Sequence, residues 1–145
     1  MPTPLIRTQN LVKRYGDKLA VNNVSLDVYG GEVFGFLGPN GAGKTTTIKM
    51  IVGLLQPSSG TVSVAGYDVN TQPLLAKAAS GYVPDTPNLY AKLTGRELLR
   101  FVGDLYNLDR AQAERRSEEL LRMFDLIAAA DDTTDSYSHG MQQKT

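Results

Sequence analysis

The sequence of 145 residues has no cysteine, no tryptophan and a single histidine, and its 15 basic residues balance 15 acidic ones. A protein without cysteine relies on no disulfide. Because the charges balance, no overall field attracts nucleic acid or an acidic membrane surface, and we expect no nucleic-acid partner. No segment approaches the roughly 20 apolar residues that span a bilayer, and residues 1–4 lack the basic and apolar parts of a signal peptide. We therefore expect a soluble chain of one domain, with any membrane role exerted through a partner.

Residues 38–45 match the phosphate-loop pattern of two glycines, a lysine and a hydroxyl at every required position. The apolar run at 33–37 predicts a buried parallel strand before the loop, and the apolar spacing of 45–55 predicts a helix after it. The glycines allow backbone amides to face a phosphate chain, and the helix N-terminus adds its positive dipole. Lys44 would contact the outer phosphates, and the Thr45 hydroxyl a magnesium ion. An ordinary glycine-rich turn is the alternative, and the matching flanks favour the phosphate loop.

Alternating apolar and polar residues predict strands within residues 5–28, with turns at 16–17 and 22–23. Short strands are also predicted at 61–64 and 80–83. We therefore expect an antiparallel sheet beside the phosphate-loop unit.

Two side chains in this part of the chain have two interpretations each. Tyr15 lies just before a predicted turn, where half-buried packing is favoured by position over stacking on a purine. Asp85 follows a predicted strand end beside Pro84, where a turn residue is favoured by position over a magnesium ligand.

The pattern changes from strands to helices at about residue 88. We expect residues 1–87 to form a nucleotide-binding core and residues 88–145 a helical region. Thr94 and Glu97 predict a capping box, and Asp109 predicts a second helix start, so that two helices form a hairpin with its charges in solvent. The core of the hairpin is predicted to include Phe101, Met123 and Phe124.

A further helix start is predicted at residues 137–142, where a serine and a glycine precede helix-forming residues and could bind an anion. The only histidine, His139, lies in this segment. It has no neighbouring cysteine or carboxylate, so we interpret it as a structural or contact residue rather than a metal ligand.

Residues 40–46 have the form that the Walker A motif usually takes in the nucleotide-binding domain of ABC transporters, and the chain resembles that domain over nearly all its length. Residues 137–142 resemble a variant of the family's signature motif, normally leucine, serine, glycine, glycine and glutamine. The run at 82–97 is most similar to ABC-2-type exporters. The residues that match the signature are Ser138, Gly140 and Gln142, and those that depart from it or are tolerated variants are Tyr137, His139 and Met141.

The resemblance implies an α/β fold, a phosphate-loop NTPase core of the ABC ATPase type with an antiparallel β subdomain and a helical subdomain. It implies an ATP-binding subunit that couples ATP binding and hydrolysis to transport, with ATP and Mg²⁺ as cofactors, on the cytoplasmic face of the cell membrane. The implied partners are a transmembrane permease subunit and a second nucleotide-binding domain, in a head-to-tail homodimer or ABC heterodimer.

The resemblance also assigns roles within the site. Tyr15 takes the place of the aromatic residue that stacks on adenine, which outweighs the packing interpretation. Asp85 takes the place of the Q-loop glutamine and, with Thr45, would contact Mg²⁺. The residues implied to contact nucleotide are Tyr15, Gly38, Pro39, Asn40, Gly41, Ala42, Gly43, Lys44, Thr45, Thr46, Ser138 and Gly140, the last two reaching the γ-phosphate held by the other subunit.

Nothing in the sequence resembles a Walker B motif, a D-loop or a switch histidine, all of which follow the signature helix in this family. No catalytic residue is therefore assigned, and the sequence resembles about the first 60% of such a domain. We expect the chain to bind MgATP and hydrolyse it poorly, with ATPase activity belonging to the full-length domain. In the fold that the chain resembles, strands that follow the signature helix lie between the strand near 33–37 and the strand near 81–83, so the resemblance implies a gap in the central sheet of this chain. Such a gap predicts marginal stability, self-association or local rearrangement. The alternatives are a soluble ABC ATPase acting on ribosomes or DNA and a non-catalytic nucleotide-binding fragment.

Overall fold

The structure, a computed structural model, describes residues 3–87 and 89–145. The chain forms two compact units, of which the first ends at Tyr82 and the second begins at Val83. Each unit has its own buried apolar cluster. The boundary predicted from the sequence lies at residues 87 and 88, and Asn88, like Met1 and Pro2, is outside the described residues. Within those residues, no helix combines the length and the apolar character needed to cross a membrane.

Antiparallel strands form the sheet of the first unit, in the spatial order β2, β1, β3, β4. Because β1 lies between β2 and β3, Ile6 pairs with Val28 on one side and with Val64 on the other. The turn at Gly16 and Asp17 joins β1 to β2, as predicted, and the antiparallel sheet is confirmed. The strands are β1 (Ile6–Tyr15), β2 (Lys18–Val28), β3 (Ser59–Val64) and β4 (Tyr67–Asp68).

The turn predicted at residues 22–23 is wrong, because β2 continues through both asparagines. Asn23 instead has a φ of 53°, and the register between β1 and β2 shifts at this point, which is the signature of a β-bulge. Asparagine tolerates the left-handed region better than most residues, so a β-bulge at Asn23 takes the place of the predicted turn. Asn10, with a φ of 48°, lies at a second register shift on β1.

Two helices pack against this sheet, α1 (Lys44–Ile51) and α2 (Pro73–Ala78). Met50 of α1 is fully buried, so the helix that follows the phosphate loop is fixed to the sheet. Burying a side chain of this size contributes about 1.5–3 kcal/mol. The buried cluster consists of Leu11, Val21, Met50, Val62, Val64, Val69 and Ala76.

The parallel strand predicted at 33–37 and the short strand predicted at 80–83 are wrong for this structure. Both runs lack strand conformation, and Val33, Leu37 and Val83 are largely exposed. A central parallel strand needs hydrogen-bonded neighbours on both sides. No strand within residues 3–87 and 89–145 pairs with either run, so their apolar side chains meet solvent.

The second unit is helical, with α3 (Gly95–Leu105), α4 (Arg110–Met123) and α5 (His139–Lys144). The predicted capping box is confirmed: Thr94 Oγ1 accepts from the Glu97 amide at 3.2 Å, and Glu97 Oε2 accepts from the Thr94 amide at 2.9 Å. Asp109 caps α4 by accepting from the Gln112 amide at 2.9 Å, which confirms the second helix start.

The predicted core of the helical hairpin is wrong. Phe101, Phe124 and Met123 are exposed, whereas the buried cluster of this unit contains Leu121, Leu126 and Ala130. The physical reason is that α3 and α4 contact each other through small residues. A Cβ atom at Gly103 would lie 3.2 Å from the Cβ of Ala113, so α3 and α4 approach closely there and leave large side chains on the flanks.

Replacing the cap of α3 tests how much this end of the helix contributes. We expect Thr94→Ala to lower the free energy of unfolding by about 1 kcal/mol, because the Glu97 amide loses its acceptor. Thr94→Ser keeps the hydroxyl and is the control, with an expected change within about 0.5 kcal/mol. Urea unfolding followed by the circular dichroism of the helices measures both. Equal losses in the two variants would contradict the capping role.

Candidate functional site

A tight turn at residues 39–43 leads directly into α1. The Ala42 amide donates to the Pro39 carbonyl at 3.2 Å, and Gly41 and Gly43 both have a φ of 84°. Residues other than glycine rarely adopt this backbone conformation, so the turn requires glycine at these positions. The helix that the sequence predicted after the loop is confirmed, and it begins at Lys44.

The first turn of α1 presents unpaired amides. Gly43, the N-cap, offers no side-chain acceptor. Within the part of the chain that the structure describes, no carbonyl or side chain accepts from the amides of Lys44, Thr45 or Thr46. Such amides, together with the helix dipole of roughly half a positive charge, make a binding site for an anion.

Lys44 is folded back over the turn. Its ammonium donates to the carbonyls of Gly38 at 2.5 Å and Pro39 at 2.8 Å. A positive charge is thereby held beside the free amides of the helix start. The Thr45 side chain is exposed, so its hydroxyl is open to a ligand. The arrangement suits a polyphosphate, because charge, amides and a hydroxyl converge on one turn.

The loop is attached to the sheet through Gly43. A Cβ atom added there would overlap the Ala20 carbonyl oxygen and lie 3.1 Å from Val21 Cγ2. The backbone of the loop therefore touches the backbone of β2. Thr47 is buried one turn later, and its amide donates to the Gly43 carbonyl at 2.8 Å. The position of the helix start is thus set by strand and helix together.

Tyr15 lies at the end of β1 with 51% of its surface exposed. The Lys13 ammonium lies 5.2 Å from the centre of its ring, in the geometry of a cation–π contact. Sequence reasoning missed Lys13, and only the alternation of β1, which places residues 13 and 15 on one face, would have pointed to it. The ring remains open to a further stacking partner.

The segment at 137–142 forms the start of α5, as predicted. Ser138 is the N-cap, and its hydroxyl accepts from the Met141 amide at 3.3 Å. Ser138, His139 and Gly140 are exposed. Gln142 turns inward instead, and its side-chain amide donates to the Thr134 carbonyl at 3.2 Å.

Tyr137, where the resembled motif has leucine, is only 5% exposed. Its hydroxyl donates to the Ala129 carbonyl at 2.6 Å. Burial, with a contribution from the nearby Asp132 carboxylate, raises the pKa of this hydroxyl above its usual range, so it stays a donor at neutral pH. The tyrosine thus fills an apolar position with its polar atom satisfied. Sequence reasoning missed its neighbour Gly95, which leaves room for the hydroxyl.

Asp85 is exposed in the second unit, and its carbonyl accepts from the Gln143 side chain at 3.5 Å. Ser138 and Gly140 belong to the same unit, whereas Tyr15 and the phosphate loop, residues 38–46, belong to the first. Across residues 3–87 and 89–145, no group of three or more acidic, histidine or cysteine side chains could hold a metal ion. A magnesium ion here would depend on the Thr45 hydroxyl, a phosphate chain and water.

The chain matches the family model described as ABC transporter over residues 21–145. It is 40% identical over 140 residues to the linearmycin resistance ATP-binding protein LnrL of Bacillus subtilis, covering 97% of this chain and 45% of the relative. It is also 40% identical over 144 residues to the Nod factor export ATP-binding protein I of Burkholderia lata, covering 99% and 47%. The chain thus spans less than half the length of these relatives.

Solved structures agree with the fold. One, described as the ATP-binding subunit of an ABC transporter, has a TM-score of 0.87 at 38% identity, covering 97% of this chain and 58% of that one. Another is a dimeric post-hydrolysis state of the ATP-binding cassette MJ0796 bound to ADP and Pi, with a TM-score of 0.82 at 26% identity, covering 96% and 66%. The predicted α/β fold class of the ABC ATPase type is confirmed.

Proposed function

This chain belongs to the ABC transporter family, and from that membership we propose that it provides the ATP site of the energy-coupling subunit of an exporter. One observation carries the proposal: the start of α1 offers free amides, the Lys44 ammonium and the Thr45 hydroxyl at a turn that only glycine can form. The names of two relatives, one in linearmycin resistance and one in Nod factor export, support the direction of transport.

The nucleotide would lie with its phosphates on the phosphate loop and its adenine on Tyr15. Lys44 would exchange its two carbonyl acceptors for phosphate oxygens. Mg²⁺ would be held by the Thr45 hydroxyl, phosphate oxygens and water. When bound, the ion neutralises charge on the phosphates. The exposed Thr45 hydroxyl beside free amides fits this role.

We propose a head-to-tail dimer in which the exposed Ser138 and Gly140 of one subunit contact the γ-phosphate bound by the other. The solved structure of a dimeric ATP-binding cassette with bound ADP and Pi supports the dimer. No residue of this chain is assigned as a general base, so we propose that the 145-residue polypeptide binds MgATP and turns it over slowly. In longer relatives, the remaining length would supply that base and the neighbours of residues 33–37.

The permease would dock on an apolar patch of the second unit. Tyr90 and Phe101 meet edge to face at 5.2 Å, and both are exposed. Leu105, about one helical turn after Phe101, extends the patch along α3. Exposed aromatic groups of this kind mark interaction sites. We propose that a cytoplasmic segment of a transmembrane permease covers the patch and holds the subunit at the membrane face.

A charge placed in the patch tests this docking. We expect Phe101→Glu to reduce co-purification with the permease at least about tenfold, since burying an unpaired carboxylate is unfavourable. Met123→Glu, an exposed apolar position on α4, is the control and should retain the permease. The affinity for MgATP should be unchanged in both. Retained permease in Phe101→Glu, or capture of ribosomes in place of the permease, would contradict the proposal.

Tyr15 determines whether the site prefers ATP over a bare phosphate chain. We expect Tyr15→Ala to weaken ATP binding by about 5- to 100-fold, since stacking on a base is worth about 1–3 kcal/mol. Binding of inorganic triphosphate should not change. Tyr15→Phe keeps the ring and should bind ATP as the parent does. Isothermal titration of the parent and both variants with each ligand measures the six dissociation constants, and equal losses for ATP and triphosphate in Tyr15→Ala would contradict the stacking role.

A further inference from the structure

The hydroxyl of Tyr137 closes a hydrogen-bonded junction between three parts of the second unit. Tyr137 directly precedes Ser138, and its hydroxyl donates to the Ala129 carbonyl at 2.6 Å. The first amides of α3 bond the same turn, with Arg96 donating to the Ala130 carbonyl at 2.9 Å and Gly95 to the Asp132 carbonyl at 3.3 Å. The start of α3, the turn at 129–132 and Tyr137, the residue before the N-cap of α5, are therefore joined at one point.

Gly95 makes this junction possible. A Cβ atom there would overlap the Tyr137 hydroxyl and lie 3.3 Å from its Cζ atom. Any larger residue at position 95 would displace the ring or its hydroxyl. Tyr137 and Gly95 therefore form a matched pair, in which one supplies the donor and the other the space for it.

The far side of the segment is anchored as well. The Gln142 side chain donates to the Thr134 carbonyl at 3.2 Å. Thr134 is buried, with its hydroxyl donating to the Tyr90 carbonyl at 3.0 Å. The exposed residues 138–140 thus lie between two buried anchors. The anchors on either side limit the positions open to the backbone of these three residues.

We propose that Tyr137 is a positioning residue, whose hydroxyl, accommodated by Gly95, fixes the backbone of residues 138–140 for contact with the γ-phosphate of a partner subunit. An apolar side chain would fill the same space without fixing a direction, since dispersion contacts are not directional and a hydrogen bond is. The proposal rests on the proposed function, because Ser138 meets a γ-phosphate only in an ATP-bound dimer.

Amide hydrogen exchange in the 145-residue protein tests the positioning directly. The reporters are the Met141 amide, bonded to the Ser138 hydroxyl, and the Gln142 amide, bonded to the Ser138 carbonyl. We expect Tyr137→Phe to accelerate exchange at both about five- to tenfold, the effect of losing one hydrogen bond. Tyr106→Phe, which removes an exposed hydroxyl, is the control. Unchanged exchange in Tyr137→Phe would overturn the proposal.

The pair with Gly95 supplies a second, independent measurement. We expect Gly95→Ala to accelerate the same exchange, because the new methyl group displaces the hydroxyl. In the double variant with Tyr137→Phe the obstacle is gone, so exchange should match that of Tyr137→Phe alone. Multiplicative effects in the double variant would mean that the two residues act separately and would overturn the pairing.

Two binding measurements then separate this proposal from the proposed function. We expect Tyr137→Phe to leave the Kd for MgATP unchanged at protein concentrations low enough to keep the chain monomeric. At higher concentrations it should weaken the MgATP-dependent association of two copies about five- to tenfold, measured by sedimentation. Equal association in the variant and the parent would overturn the positioning role. If the parent binds MgATP without associating, Ser138 has no phosphate to meet and the proposal fails while the nucleotide site stands. If the parent binds no MgATP, the proposed function itself fails, and the exchange experiment still decides whether Tyr137 fixes the segment.

Discussion

Replacing Lys44 with alanine should weaken MgATP binding about 10- to 100-fold. The ammonium is held over the phosphate loop by the Gly38 and Pro39 carbonyls, where it would meet the phosphates of the proposed nucleotide. Hydrogen bonds to charged groups contribute about 1.5–3 kcal/mol, and each 1.4 kcal/mol is a factor of about ten in Kd. Isothermal titration of the chain with MgATP gives both constants.

The matched control is Lys49→Ala, on the same helix. It removes the same charge from an exposed position in the last turn of the helix, whereas Lys44 lies in the first turn. We expect the Kd of Lys49→Ala for MgATP to remain within about twofold of the parent, because salt in the solvent screens the interaction of an exposed charge with the bound phosphates. Equal losses in the two variants would mean that net charge, and not the position of Lys44, determines the affinity.

A methyl group at Gly43 should damage both the stability of the first unit and its site. The backbone there has a φ of 84°, and a Cβ atom would overlap the Ala20 carbonyl oxygen. We expect Gly43→Ala to lower the free energy of unfolding by about 2–5 kcal/mol, combining about 1–2 for left-handed backbone with about 1–3 for overpacking. Because α1 would move away from β2, MgATP binding should be lost as well.

Gly41→Ala separates the two contributions. Gly41 has the same φ of 84°, yet a Cβ atom there would meet nothing within 4 Å. We expect a loss of only about 1–2 kcal/mol, from the backbone alone. Thermal or urea unfolding of both variants measures the difference. A loss at Gly43 no larger than that at Gly41 would contradict the close contact between the loop and β2.

Features encoded by neighbouring residues could be predicted from the sequence. The capping box of Thr94 and Glu97 depends on residues three apart, and the structure forms both of its hydrogen bonds. The helix start at Lys44 follows from a pattern of glycines within one turn. In each case the residues that make the contact lie within a few positions of one another in the sequence, so the sequence pattern is enough to predict the local geometry.

Features that depend on distant partners could not be predicted in the same way. The apolar run at 33–37 reports a preference for burial, yet strand conformation needs paired neighbours, and no described strand provides them. Phe101 fits the helical periodicity of a core residue but is exposed, because Gly103 and Ala113 bring the helices together elsewhere. The contact of Tyr137 with Gly95 joins two segments that are far apart in the sequence, and neither segment's sequence pattern predicts that they meet.

The central claim is that the phosphate loop binds the phosphates of ATP through its own backbone amides. Amide chemical shifts of the 145-residue protein, followed by NMR during a titration with MgATP, test it most directly. We predict that the amides of Gly43, Lys44, Thr45 and Thr46 shift most, saturate with one common Kd, and respond in the same way to inorganic triphosphate. Saturable binding of MgATP that leaves these four amides unmoved, while others shift, would contradict the account.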